Sequence, residues 1–205
     1  MLQFAFHWCK KGWWWIGLWC PMCVLGQSGA FGILSGSTMQ IQVATNVNRF
    51  NCTSKPVYAR LLYKAQVAPE DKAQLVFRET SIPLRIRSLN CGTEMFNRIL
   101  YASLNETRYP QIQIGILRIK SVAGMPNATE TAVKILARIE INGRAREYWV
   151  DAQARGKKDQ TFVVKGSHPL LMSSFGVTPP RAPGGLIAAR DEIRIMLDLQ
   201  VKVIE

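Results

Sequence analysis

The chain has 205 residues, with 26 Lys and Arg against 14 Asp and Glu, a formal net charge of +12 and 48% hydrophobic residues. That length allows one domain or two small ones, and the apolar share excludes wholesale disorder. No Gly-X-Y period and no sustained heptad runs through the chain, which excludes collagen-like and coiled-coil readings. At the N-terminus, Lys10 and Lys11 precede residues 12–25, which carry no charge. The run suits a signal-peptide core of about 7–15 residues and falls short of the ~20 that cross a bilayer as a helix. Residues 1–26 are therefore expected to be a signal peptide cut before Gln27, with Gly29–Ala30 as a later alternative site. A retained Trp-rich anchor is the competing reading. Trp19-Cys20-Pro21-Met22-Cys23 resembles a thioredoxin site, but it lies inside the leader with no strand before it and no helix pattern around it.

Residues 27–36 read as a lead-in and 37–205 as the folded domain. Removing the leader takes three of five cysteines and leaves Cys52 and Cys91. An even pair in an exported chain is a candidate disulfide, and two separate buried thiols are the alternative. Met39, Ile41 and Val43 alternate with glutamines, and Leu84 and Ile86 alternate with arginines. Both patterns predict strands. Thr93 is the expected N-cap of a helix in which Met95, Phe96, Ile99, Leu100 and Leu104 keep helical spacing, up to Asn105. Ile112, Ile114 and Ile116 open the next strand.

Val133, Ile135, Ala137, Ile139 and Ile141 alternate up to Asn142-Gly143, the strongest two-residue hairpin signal. Folding there sets Ile141 opposite Arg144, Arg138 opposite Glu147, Leu136 opposite Trp149 and Lys134 opposite Asp151. Residues 176–185 read as an irregular loop, and Ile193 to Val203 alternate as a last strand. Many short alternating strands with one amphipathic helix predict an all-β fold.

The order of these pieces resembles the YceI-like family of exported lipid- and polyisoprenoid-binding proteins. The likeness rests on Ser37-Thr38 to Ile41 and Thr45-Asn46-Val47-Asn48-Arg49-Phe50. It continues through Leu89-Asn90-Cys91-Gly92, Met95, Leu104 and Tyr109-Pro110-Gln111-Ile112, then Ile141-Asn142-Gly143. It closes on Phe175-Gly176-Val177-Thr178-Pro179-Pro180, Gly185-Leu186-Ile187 and Asp191-Glu192-Ile193 to Leu199. Asn48 stands where the family often has His, and Ser174 where it has Asp. The resemblance implies a lipocalin-like antiparallel β-barrel of about eight strands holding a long apolar ligand. Ile112, Ile114, Ile135, Ala137, Ile139, Ile195 and Leu197 would line the interior, and Phe96 and Leu100 would close one end. The plain alternative is that these side chains fill the core.

The expected function is carriage of a lipid or polyisoprenoid in the periplasm or outside the cell, with no catalytic residue, metal or cofactor. The two histidines, His7 and His168, are too few for a His-rich metal site. His168 reads as a satisfied, partly buried residue rather than a general base. An enzyme using Glu79, Glu94, Glu147, Asp191 or Glu192 is the alternative, as is a membrane-surface structural protein. The basic residues are spread over strand faces, which argues against nucleic acid and allows transient contact with an anionic membrane surface. A homodimer is left open.

Overall fold

The computed structural model describes residues 27–68, 71, 74–78, 80–121, 130–157, 159–181 and 184–204. Residues 1–26, the expected leader with its Cys-Pro-Met-Cys run, and Glu79 lie outside the described residues. The strands in chain order are β1 (Gln27–Ile33), β2 (Thr38–Thr45), β3 (Arg49–Ser54), β4 (Tyr58–Val67), β5 (Gln74–Arg78) and β6 (Ile82–Arg85). Then follow helix α1 (Glu94–Ser103) and β7 (Gln111–Ser121), β8 (Thr131–Ile141), β9 (Arg144–Gly156), β10 (Thr161–Leu171) and β11 (Ala189–Ile204). Short 3-10 turns occupy Ile86–Ser88 and Met172–Phe175.

Eight strands close an antiparallel ring in the order β1, β4, β5, β7, β8, β9, β10, β11 and back to β1. The long strands β7 and β11 each serve two neighbours end to end. β11 pairs with β2 over Ala189–Asp198 and with β1 over Val201–Ile204. β7 pairs with β6 over Gln111–Ile114 and with β5 over Arg118–Lys120. The register separates two ends. The helix end carries α1, the β2–β3 turn, the Asn142-Gly143 turn and the 172–188 connection. The hairpin end carries the β4–β5 and β9–β10 connections. At the helix end β3 and the segment after β6 meet across a seam. Thr53 and Asn90 exchange backbone hydrogen bonds of 2.9 Å there, and the Cys52–Cys91 disulfide crosses it.

The β8–β9 hairpin has the register that Asn142-Gly143 dictates, from Ile141 opposite Arg144 to Lys134 opposite Asp151. Lys134 Nζ lies 3.0 Å from the Asp151 carboxylate on the wet face. Asn142 and Gly143 both have positive φ, as a type I′ turn requires. A Cβ on Gly143 would lie 2.7 Å from the Tyr109 ring. Gly143→Ala is expected to cost about 1–3 kcal/mol, read as a lower urea midpoint. α1 starts as its cap foretells: Thr93 Oγ1 accepts from Phe96 N at 3.3 Å.

Two expectations are corrected. Residues 27–33 are not a lead-in but strand β1, whose partners on β4 and β11 close the ring. Their mixed Gly, Ser and Ala composition hides a strand that both neighbours hold. Leu84 to Arg87 is not one strand. β6 stops at Arg85, and Ile86 turns inward as part of a 3-10 turn, fully buried, with its N–H on Pro110 O at 3.0 Å. Pro110 has no N–H to extend the β6–β7 ladder beyond Gln111.

Candidate functional site

The inner face of the barrel follows from the pairing. Ile195 is buried in the core, and residues directly opposite it share its face. His168 stands opposite Ile195, Gly166 opposite Leu197, and Val164 opposite Leu199. Ala137 is opposite Tyr148, and Ile135 is opposite Val150 and Ile119. Phe31 is opposite Leu61. All of these therefore point inward.

The interior is not filled evenly. At the helix end Phe175, Ile86, Leu89, Ile112 and Leu170 are almost wholly buried and form a packed plug. Of the expected ligand residues, Ile112, Ile114, Ala137, Ile139 and Ile195 belong to this core. Ile135 and Leu197 are different: they face inward yet remain partly exposed, as do Leu61, Tyr63, Ile116, Tyr148 and Val164. Small residues also face inward, since Gly166 and Ala152 stand opposite each other and Ala154 and Ala137 lie on the same face.

Phe96 and Leu100 lie elsewhere. With Ile99 they form the underside of α1 over Val43, Phe50, Cys52 and Cys91, around an apolar cavity of about 50 Å³. The Phe50 and Phe96 rings sit 4.3 Å apart. Small-molecule pockets begin near about 300 Å³, so this cavity alone holds no long chain. No side chain of α1 is fully buried. The helix is held by Asn97 Oδ1, which accepts from Cys91 N at 2.7 Å, and by the Tyr101 hydroxyl, which donates to Leu89 O at 2.8 Å.

Two polar rings face the interior. Tyr148 and His168 pack at 5.1 Å between centroids, and neither side chain has a hydrogen-bond partner among the described residues. Sequence reasoning missed Tyr63 and Leu61, because β4 shows no clean alternation, and did not count Tyr148 on β9 among the inward candidates. Burial pushes the His168 imidazole below its ordinary value of 6.5, with Arg194 acting the same way and Asp151 opposing. As pH falls, the unfolded chain takes up this proton before the folded one. Stability tied to neutral His168 is present above 6.5 and is lost as the pH falls through that value toward the depressed folded one. His168→Gln is expected to flatten this slope, seen as a smaller drop in urea midpoint between neutral and mildly acid buffer.

The carboxylates considered for catalysis do not converge. Glu94 pairs with Arg98 on the exposed side of α1, and Glu147 faces Arg138 on the outer wall. Asp191 accepts from Ser173 N and Oγ, and Glu192 is exposed. Among the described residues no group of His, Cys, Asp and Glu could hold a metal ion.

No known family model matches the sequence, and no curated protein matches it. Solved structures do. A polyisoprenoid-binding domain from Saccharophagus degradans, implicated in plant cell wall breakdown, superposes with a TM-score of 0.59 at 9% identity. The match covers 86% of this chain and 99% of that one. Burkholderia cenocepacia BcnA gives 0.55 at 18% identity over 80% of this chain and 96% of its own. A variant of the Campylobacter jejuni YceI protein holding a monobromobimane guest gives 0.50 at 13% identity, covering 96% and 94%. The fold is the YceI-like β-barrel.

Proposed function

We propose that the protein binds one long apolar chain, a lipid or polyisoprenoid, in the interior of this barrel and carries it in the periplasm without covalent chemistry. The observation that carries the reading is the set of inward-facing, partly accessible side chains, chiefly Leu61, Tyr63, Ile135, Tyr148 and Leu197. A closed eight-stranded ring with small residues facing inward leaves room for one slender ligand. The shared fold with a polyisoprenoid-binding domain supports the same choice of ligand. In this reading α1 is the movable cover. Its underside and the cavity against Val43 and Phe50 form the apolar path by which the chain passes the plug. Tyr148 and His168 supply hydrogen bonds to whatever polar group the ligand carries.

The leader supports the periplasmic assignment, and a cut before Gln27 leaves β1 whole. A cut after Gly29 would remove residues that pair with Ala65, Lys64 and Tyr63. Native mass spectrometry of the protein recovered from an expressing bacterium tests the proposal. The expected spectrum shows a polypeptide starting at Gln27 plus a bound mass that partitions into organic solvent. A protein that carries no extractable mass, and takes up none when mixed with a polyisoprenol, overturns it.

A further inference from the structure

Two strongly exposed apolar side chains stand together at the helix end. Val47, in the β2–β3 turn, is 65% exposed, and Leu186, in the connection before β11, is 82% exposed. Their loops are tied to each other by one residue. Asn46 Nδ2 donates to Leu186 O at 2.9 Å, Asn46 Oδ1 accepts from Ala188 N at 3.1 Å, and Asn46 N donates to Ala188 O at 3.1 Å. The two tips are thus held side by side in the open rather than folded onto the barrel.

Cations surround them. Arg49 begins β3 opposite Ala44, Arg181 bridges to Ala188, and Arg190 follows Ala189, which pairs with Thr45. All three arginines are exposed, and none forms an ion pair among the described residues. The carboxylates nearby are Glu94, which pairs with Arg98, Asp191, which is held by Ser173, and the exposed Glu192. The surface is therefore apolar at its tips and cationic around them. The cavity under α1 adjoins it, since Phe50, Ile187 and Ala189 line that cavity and neighbour Arg49, Leu186 and Arg190 in the chain.

We infer that this end of the barrel docks on an anionic lipid surface. Val47 and Leu186 enter the boundary between headgroups and acyl chains, while Arg49, Arg181 and Arg190 meet lipid phosphates. The assignment rests on the reading of the barrel as a carrier of an apolar chain, for which it names the surface where cargo is exchanged. Apolar tips ringed by cations fit a soft anionic interface, where shallow insertion and charge attraction add together.

The test is sedimentation of the full chain with vesicles of equal parts phosphatidylcholine and phosphatidylglycerol, against phosphatidylcholine alone. Binding is expected with the anionic vesicles and is expected to weaken as salt is raised. Leu186→Asp and Val47→Asp are each expected to weaken it about tenfold, and Arg190→Gln about fivefold. Trp149→Gln, on the outer wall of β9, leaves it unchanged. Hydrogen exchange adds a local readout that attachment through the leader would not move. Residues 45–50 and 184–190 become protected when anionic vesicles are added. Vesicle binding that ignores Leu186→Asp and Val47→Asp overturns the inference, as does protection confined to other segments. Leu186→Asp protein that still carries its apolar mass but no longer binds vesicles supports both assignments. Vesicle binding of this pattern by a protein with no bound mass supports the docking surface alone and overturns the carrier reading.

Discussion

Replacing Cys52 and Cys91 together by Ala is expected to lower the unfolding free energy by about 4 kcal/mol. The bridge spans 39 residues of sequence, so it restrains a long loop of the unfolded chain. It also sits at a sparsely bonded seam of the helix end. β3 has a full partner only in β2, and its other edge meets the chain through the Thr53–Asn90 bridge and a Ser54–Ser88 hydroxyl contact of 2.8 Å. Cys52 and Cys91 themselves line the cavity under α1, so the same substitution removes part of its wall. A urea midpoint lower by about 2 M would report the loss. Faster hydrogen exchange in residues 49–54 and 86–92 would place it at the seam. An unchanged midpoint would show that the neighbouring hydrogen bonds suffice.

On the carrier reading, Leu197→Trp is expected to keep the apolar chain out of the barrel while the fold survives. Leu197 faces inward opposite Gly166, only partly buried while packed against the core, so the larger ring extends toward the space that the carrier reading assigns to the chain. Some overpacking cost, about 1–3 kcal/mol, should appear as a lower midpoint. The bound mass in native spectra should fall at least about tenfold, since a filled lumen excludes the chain sterically. Trp at the outward-facing Met196 serves as the control and should keep the ligand. If Leu197→Trp protein retains its full complement of ligand, the chain does not run past the middle of the barrel.

Much of the fold was legible locally. Strict alternation marked β2, β8 and β11, and the Asn142-Gly143 turn set the β8–β9 register residue by residue. The Cys52–Cys91 pair was legible only as a candidate, because spacing says nothing about distance. β10 was hidden by Gly166 and Pro169. Pro169 is tolerated because β9 pairs with β10 only as far as Gly166, so the missing N–H falls beyond that ladder. β4 was hidden by Leu61 and Leu62, adjacent apolar residues of which one faces the interior and the other is 65% exposed.

The site was less legible than the fold, for a physical reason. Alternation tells which residues point inward, and it put Ile112, Ile135, Ile139 and Leu197 on one footing. Whether an inward side chain is enclosed or left partly accessible depends on what faces it across the barrel. Ile112 and Ile139 are fully enclosed in the core built around Phe175 and Leu170, whereas Leu197 packs only on its margin, opposite Gly166, and stays partly exposed. That difference is set by long-range pairing and by the sharing of β7 and β11 between two tiers, neither of which has a local sequence signature.

The central claim is that an apolar chain lies inside the barrel, and photo-crosslinking tests it most directly. The ligand is a polyisoprenoid with a photoreactive group along its chain, mixed with the protein and irradiated, and the adducts are located by peptide mapping. Adducts at Tyr63, Ile135, Tyr148 and Leu197 are the expected result. Adducts confined to outward residues such as Leu62 and Trp149, with the inward face untouched, would contradict it.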